Sequence, residues 1–153
     1  METTESKIST LTITSSEFMN NSEIPGKYTC DGENISPPLG IGDLPNETIS
    51  MVIIVDDPDA KIKTWTHWIM WNIKPTIRIK EDSHQGVEGL NDFKKNGYDG
   101  PCPPFESHRY FFKIYALDVI LDLPAIATKE DLLEAMQGHI LAAGEIMGFY
   151  KRD

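Results

Sequence analysis

Ile49-Ser50-Met51-Val52-Ile53-Ile54-Val55 runs without a break into Asp56-Asp57-Pro58-Asp59. A short, continuous apolar run closed by turn residues reads as a strand buried on both faces. Its longest purely apolar stretch, Met51 to Val55, is far short of the ~20 residues that cross a bilayer. The next segment, Thr64 to Ile73, is aromatic and strand-like. Simple alternation puts Trp65, His67, Ile69 and Trp71 on one face and Thr66, Trp68, Met70 and Asn72 on the other. The turn Ala60 to Thr66 would return the chain as a hairpin, bringing His67 back beside the carboxylates of Asp57 and Asp59.

Outward from this hairpin the strand signal continues. Ile8 to Thr14, Lys27 to Cys30, Ile77 to Lys80, His108 to Asp118 and Glu145 to Tyr150 are each expected to be strands. On the 108–118 strand, His108, Tyr110, Phe112 and Ile114 share a face. One helix is expected over about 128–143, with Thr128 as N-cap, Asp131 three residues on, and Leu132, Leu133, Met136, Ile140 and Ala143 at helical spacing. Glu81 to Ser107 is a long irregular stretch with little periodicity, and such stretches inside compact domains are usually functional. The fold class is mainly β.

The chain has 153 residues, one domain by length, with no repeat and no linker. Asp and Glu total 24 against 14 Lys and Arg, a formal charge of −10, which disfavours partners that are extended polyanions: nucleic acid and polybasic docking on membranes. Met1 to Lys7 has no basic-then-apolar leader pattern, so a cytoplasmic protein is expected. Cys30 and Cys102 form no CxxC pair, and in a reducing compartment free thiols are the expectation.

Three groups of residues carry chemistry. Asp57-Pro58-Asp59 presents two carboxylates on a stiffened turn; the plainer reading is a solvated turn. His67 sits among aromatic residues, where a satisfied, partly buried histidine is the commoner outcome. Gly100-Pro101-Cys102-Pro103-Pro104 is a stiff loop that could hold a cis X-Pro bond, and it leads to His108-Arg109-Tyr110, whose His108 and Tyr110 can both donate to an anion. Cys102 as a nucleophile lacks a helix N-terminus and amides for an oxyanion hole. Asp57, Asp59, His67 and His108 as a metal site lack HxH or HExxH spacing. No nucleotide or hydrolase signature is present, so no cofactor and no metal are expected. His84 and His139 have no partner that the sequence names.

Taken in order, Tyr28 to Pro37, Asp57-Pro58-Asp59-Ala60, Trp65-Thr66-His67-Trp68, Asn91-Asp92-Phe93, Gly97 to Pro104, His108-Arg109-Tyr110 and the tail His139 to Ala142 resemble the phosphatidylethanolamine-binding proteins, in particular the bacterial and archaeal Raf kinase inhibitor-like branch. The resemblance implies a β-sandwich with Greek-key character, one or two peripheral helices and a small anion pocket at one end. Carried onto this chain, the pocket holds Asp57, Asp59, His67, His108 and Tyr110, with Gly100, Pro101, Cys102, Pro103 and Pro104 as its rim. Lys61, where the family pattern continues with proline, and the glycine-free spacer Phe105-Glu106-Ser107 depart from the pattern at the rim.

In the pocket so implied, His67 and His108 would donate N–H bonds to a phosphate or carboxylate and Tyr110 an O–H. One Asp would fix a histidine tautomer and raise its pKa, and the other would meet an ammonium on a zwitterionic head group. The expected function is non-enzymatic binding of a small anion: phosphate, a phospholipid head group or a phosphorylated residue. The resemblance also implies regulatory partners, a protein kinase or a serine protease. Two alternatives stand beside this reading: a serine protease inhibitor acting through the rigid Pro101 to Phe105 loop, and a phosphoester hydrolase using His and Asp. The three Trp would suit a homodimer as well as a monomer. The net charge predicts weak, local binding and opposes flat docking on anionic lipid.

Overall fold

The computed structural model describes residues 7–153. The leader reading rests on Met1 to Lys7, of which residues 1–6 lie outside the described part. Ten strands and one helix follow in the order β1 (Ser9–Thr10), β2 (Thr12–Thr14), β3 (Ser22–Glu23), β4 (Leu39–Gly42), β5 (Ser50–Asp57), β6 (Trp65–Ile73), β7 (Arg78–Ile79), β8 (Val87–Glu88), β9 (His108–Leu117), α1 (Lys129–Met136) and β10 (Ile140–Tyr150).

They form a β-sandwich. A seven-stranded sheet runs β1-β10-β9-β5-β6-β8 with β3 also on β10, and a three-stranded sheet runs β2-β4-β7. The expected strand over residues 8–14 is split at Leu11, where the chain crosses from one sheet to the other: β1 pairs with β10 and β2 with β4. Ile13, Leu39, Ile41 and Ile79 of the small sheet, with Leu11 at the crossing, close on Met51, Ile53, Val55, Trp68, Met70, Phe112 and Ile114 of the large one. On the opposite face of the large sheet, Val52, Ile54, Ile69, Trp71 and Leu117 pack against Leu132 and Met136 of α1. β5 is therefore covered on both faces, and each of its residues is buried.

Three expectations need correction. Lys27 to Cys30 is not a strand; Gly26–Tyr28 is a turn of 3-10 helix, and Tyr28 is buried with its hydroxyl on Glu81. The helix ends at Met136, not near 143, because Gly138 takes a positive φ of 80° and Ile140 to Ala143 join β10, where they pair with β9. Those residues satisfy a helical period and a strand equally well in isolation, and β9 decides between them. Among the described residues no peptide bond is cis, so the proline loop turns without one. The helix N-terminus is as expected: Thr128 and Asp131 form a reciprocal capping box.

The simple alternation expected along β6 also fails, and the failure builds the site. Val55 pairs with Trp68 but Asp56 pairs with Thr66, leaving His67 unopposed. A second irregularity places Trp71 and Asn72 opposite Val52, with Asn72 at φ 55°. Each is a bulge, which resets which face the following residues serve. His67 thus turns its ring to Tyr110 on the inner side, the next residue Trp68 joins the same inner core, and Ile69 and Trp71 face α1.

Candidate functional site

At one end of the sandwich, where β5 and β6 meet the start of β9, lies a cavity of about 170 Å3. Its lining is Asp57, Ala60, Trp65, His67, Phe93, Cys102, Pro103, Pro104, His108 and Tyr110. A larger surface cleft of about 460 Å3 lies beside Thr14 and Arg78, but it gathers no histidine, tyrosine or carboxylate.

His108 and Asp57 form the polar centre. Asp57 is 3% exposed, accepts the Asp59 amide on one carboxylate oxygen at 2.8 Å, and meets His108 Nδ1 with the other at 2.6 Å. A carboxylate only accepts, so Nδ1 carries the proton and Nε2 is the nitrogen left for a ligand. Tyr110 stands one strand period on, stacked beside the His108 ring at 6.4 Å. Burial next to Asp57 pushes the Tyr110 pKa up. The hydroxyl therefore stays protonated and keeps its own hydrogen to donate.

His67 is set differently from the expectation. Its Nδ1 donates to the Asp99 carbonyl oxygen at 2.6 Å, and it is 4% exposed. Burial holds its pKa below the ordinary histidine value, outweighing the Asp99 carbonyl and the charge of Asp57. With Nδ1 protonated and the ring neutral, Nε2 presents a lone pair: His67 is an acceptor here, where the sequence suggested a charged donor. Phe93 and Tyr110 pack edge-on against it, each at 5.3 Å, and Trp65 stands edge-on to Phe93 at 5.6 Å.

The remaining expected residues divide. Cys102 and Pro103 line the cavity. Gly100 and Pro101 lie behind it: the Gly100 amide donates to Asn34 Oδ1 at 2.8 Å and Pro101 accepts from the Cys30 amide at 3.1 Å. A Cβ at Gly100 would sit 2.2 Å from the Tyr28 carbonyl oxygen, so only glycine fits. Asp59 is not in the cavity lining. It takes Arg109 through Nε at 2.9 Å, Nη2 at 2.8 Å and the Arg109 amide at 2.9 Å, and the guanidinium holds its carboxyl below the usual carboxylate range. It clamps the turn after β5 to the start of β9. Of the Pro101 to Phe105 stretch, Pro101 and Pro103 are buried and Phe105 is exposed.

The cysteines also differ from the expectation of free thiols: Cys30 and Cys102 are joined in a disulfide across 72 residues. Two cysteines that far apart in sequence give no spacing signal, and only the fold brings the 3-10 turn against the proline loop.

Sequence reasoning gave no role to Asn91, which is 3% exposed. Its side-chain amide donates to Gly97 O at 3.0 Å and Asp99 Oδ2 at 3.1 Å, and its Oδ1 accepts the amides of Phe93 and Lys95. It ties the Phe93 wall to the segment that carries Asp99. The signal was an Asn two residues before Phe93, the spacing of an Asx-turn. Trp65, Phe93, Ala60 and Pro104 complete the walls.

The phosphatidylethanolamine-binding protein family model matches residues 14–151. The chain belongs to that family. A UPF0098 protein of Methanothermobacter thermautotrophicus is 49% identical over 143 residues, 88% of this chain and 95% of the relative. One from Archaeoglobus fulgidus is 50% identical over 145 residues, 90% of this chain but 50% of the relative, so the chain spans about half of that protein. The crystal structure of a phosphatidylethanolamine-binding protein homologue, CT736 from Chlamydia trachomatis, matches with 45% identity and a TM-score of 0.90, covering 94% of this chain and 99% of that one. E. coli YbcL, described as a new member of the mammalian PEBP family, matches with 26% identity and a TM-score of 0.86 over 94% and 99%. The family's β-sandwich expected from the sequence motifs is the fold found. Among the described residues no helix is long and apolar enough to cross a membrane.

Proposed function

We propose that this PEBP-family chain binds a small phosphoryl group, free or carried on a head group or a phosphorylated residue, without turning it over. The observation that carries the reading is the convergence of Tyr110, the Asp57–His108 pair and His67 on one cavity of about 170 Å3. The space holds several waters, so it admits a group of phosphate size. Tyr110 supplies an O–H donor and His108 Nε2 a second donor when protonated. Enclosure among Trp65, Phe93 and the prolines strengthens these bonds by excluding water. Non-catalytic binding is favoured over phosphoester hydrolysis because Cys102 is spent in the disulfide and Asp57 is engaged on both oxygens.

The neutral His67 refines the ligand. A lone pair in an anion pocket repels a fully deprotonated anion but accepts from a phosphoryl O–H. The pocket therefore favours hydrogen phosphate and protonated phosphomonoesters over sulfate, which carries no proton at neutral pH. Calorimetric titration with phosphate, phosphoethanolamine, acetate and sulfate tests this. Phosphate binding at least tenfold tighter than sulfate is expected, with both phosphoryl ligands weakened in Tyr110→Phe. Equal affinity for sulfate and phosphate would contradict the role of His67, and no binding of any phosphoryl ligand would contradict the function.

A further inference from the structure

The cavity rim has two halves that are held in different ways. From Tyr98 to Pro101 it is fastened by hydrogen bonds: the Tyr98 hydroxyl to Tyr28 O at 2.6 Å, the Asp99 amide to His67 O at 3.1 Å, the Gly100 amide to Asn34, and the Cys30 amide to Pro101 O. From Pro103 to Ser107 no hydrogen bond is found among the described residues, and two of the five positions are prolines that have no N–H to give. Yet Cys102, Pro103 and Pro104 form one wall of the cavity. That wall is tethered between Pro101 and His108 by the bond to Cys30. Cys102 is exposed, and Cys30 is half-buried.

We propose that Cys30–Cys102 is a redox-modification site whose substrate is a dithiol reductant, and that its reduction opens the phosphoryl pocket. A thiolate of the reductant attacks the sulfur of Cys102, the more exposed of the two residues, the sulfur–sulfur bond breaks, and Cys30 leaves as a thiolate that takes up a proton. The second thiol of the reductant then attacks the mixed disulfide. It is released as an oxidised cyclic disulfide, and Cys102 leaves as a thiol. Two electrons pass from the dithiol to the protein, which ends with two thiols. The stretch from Cys102 to Ser107 then hangs between Pro101 and β9, and its wall is formed for only part of the time. Apparent affinity falls by the fraction of time that the wall is closed, and about a tenth closed would cost tenfold.

The proposal rests on the phosphoryl-binding reading for its effect on affinity, but its structural half is read separately. The oxidised protein and the protein treated with excess dithiothreitol are compared by thiol count, by NMR order parameters of the backbone amides of Cys102 and Phe105 to Ser107, and by calorimetric titration with inorganic phosphate. The double variant C30S/C102S is measured in parallel. Reduction is expected to release two thiols without unfolding, to lower the order parameters at those amides while β5 and β9 keep theirs, and to weaken phosphate binding about tenfold, with the double variant matching the reduced protein. A thiol count that stays at zero in the folded protein, order parameters unchanged after two thiols appear, or a double variant whose order parameters match those of the oxidised protein would each overturn it. If the order parameters fall and neither form binds phosphate, the tether stands and the phosphoryl-binding reading fails instead.

Discussion

His108 Nδ1 lies 2.6 Å from Asp57 Oδ2, on two strands, β9 and β5, that pair side by side while the residues themselves are 51 apart in the chain. The pair links the fold to the site, because the register of β5 on β9 that packs the core also brings these two polar side chains together at its edge.

Replacing Asp57 should act through His108. Asp57→Asn keeps an acceptor oxygen but removes the charge opposite His108 Nδ1, and phosphate affinity should fall about tenfold, ~1.4 kcal/mol, the scale of a hydrogen bond to a charged group. Asp57→Ala should fall further and cost stability, since it also frees the Asp59 amide. Calorimetry with a melting scan on each variant separates the two effects.

His67 makes stability depend on pH in a direction that can be worked out. Its folded pKa lies below the unfolded value near 6.5 because the ring is buried. Below about pH 6.5 the unfolded chain therefore binds the proton first, and stability falls as pH drops from there toward the folded pKa. His84 works oppositely: its pKa is raised by Glu88, so its contribution is present below the unfolded value and lost as pH rises. Melting scans from pH 7.5 to 5.5 should show a steeper acid loss in His84→Asn and a shallower one in His67→Asn.

Asp56 and Asp57 are neighbours with separate functions, since they point to opposite faces of β5. Asp56 is 1% exposed and receives Lys129 at 2.9 Å and Lys113 at 3.2 Å on the α1 side. Asp56→Ala leaves two ammonium groups without their carboxylate and should cost about 3–5 kcal/mol, the scale for breaking a buried ion pair. Phosphate affinity of the folded fraction should change by less than twofold. Denaturant unfolding together with calorimetry checks both numbers.

What the residues revealed in advance follows from range. The β5 run, the β9 alternation and the Thr128 cap are local patterns, and each stands where its pattern placed it. His67, His108, Tyr110 and Asp57 were recognisable as a group because their motifs resemble a family's, and they do share one cavity. What escaped was long-range. The bulge at His67 depends on its partner strand, the Cys30–Cys102 bond on a contact across 72 residues, and the tautomer of His67 on a carbonyl 32 residues away. Asp59 was grouped with Asp57 because both flank Pro58, but Arg109 at the start of β9 draws it out of the pocket.

The central claim is that one pocket holds a phosphoryl group between a histidine that donates and a histidine that accepts. Nitrogen NMR of the imidazole rings during titration with inorganic phosphate at neutral pH tests it most directly. The account predicts that both rings shift at one shared affinity, with His67 Nδ1 protonated and Nε2 unprotonated throughout, and with His108 moving toward the doubly protonated form as phosphate binds. Phosphate that binds while both rings stay unmoved, or a His67 ring that becomes doubly protonated on binding, would contradict it.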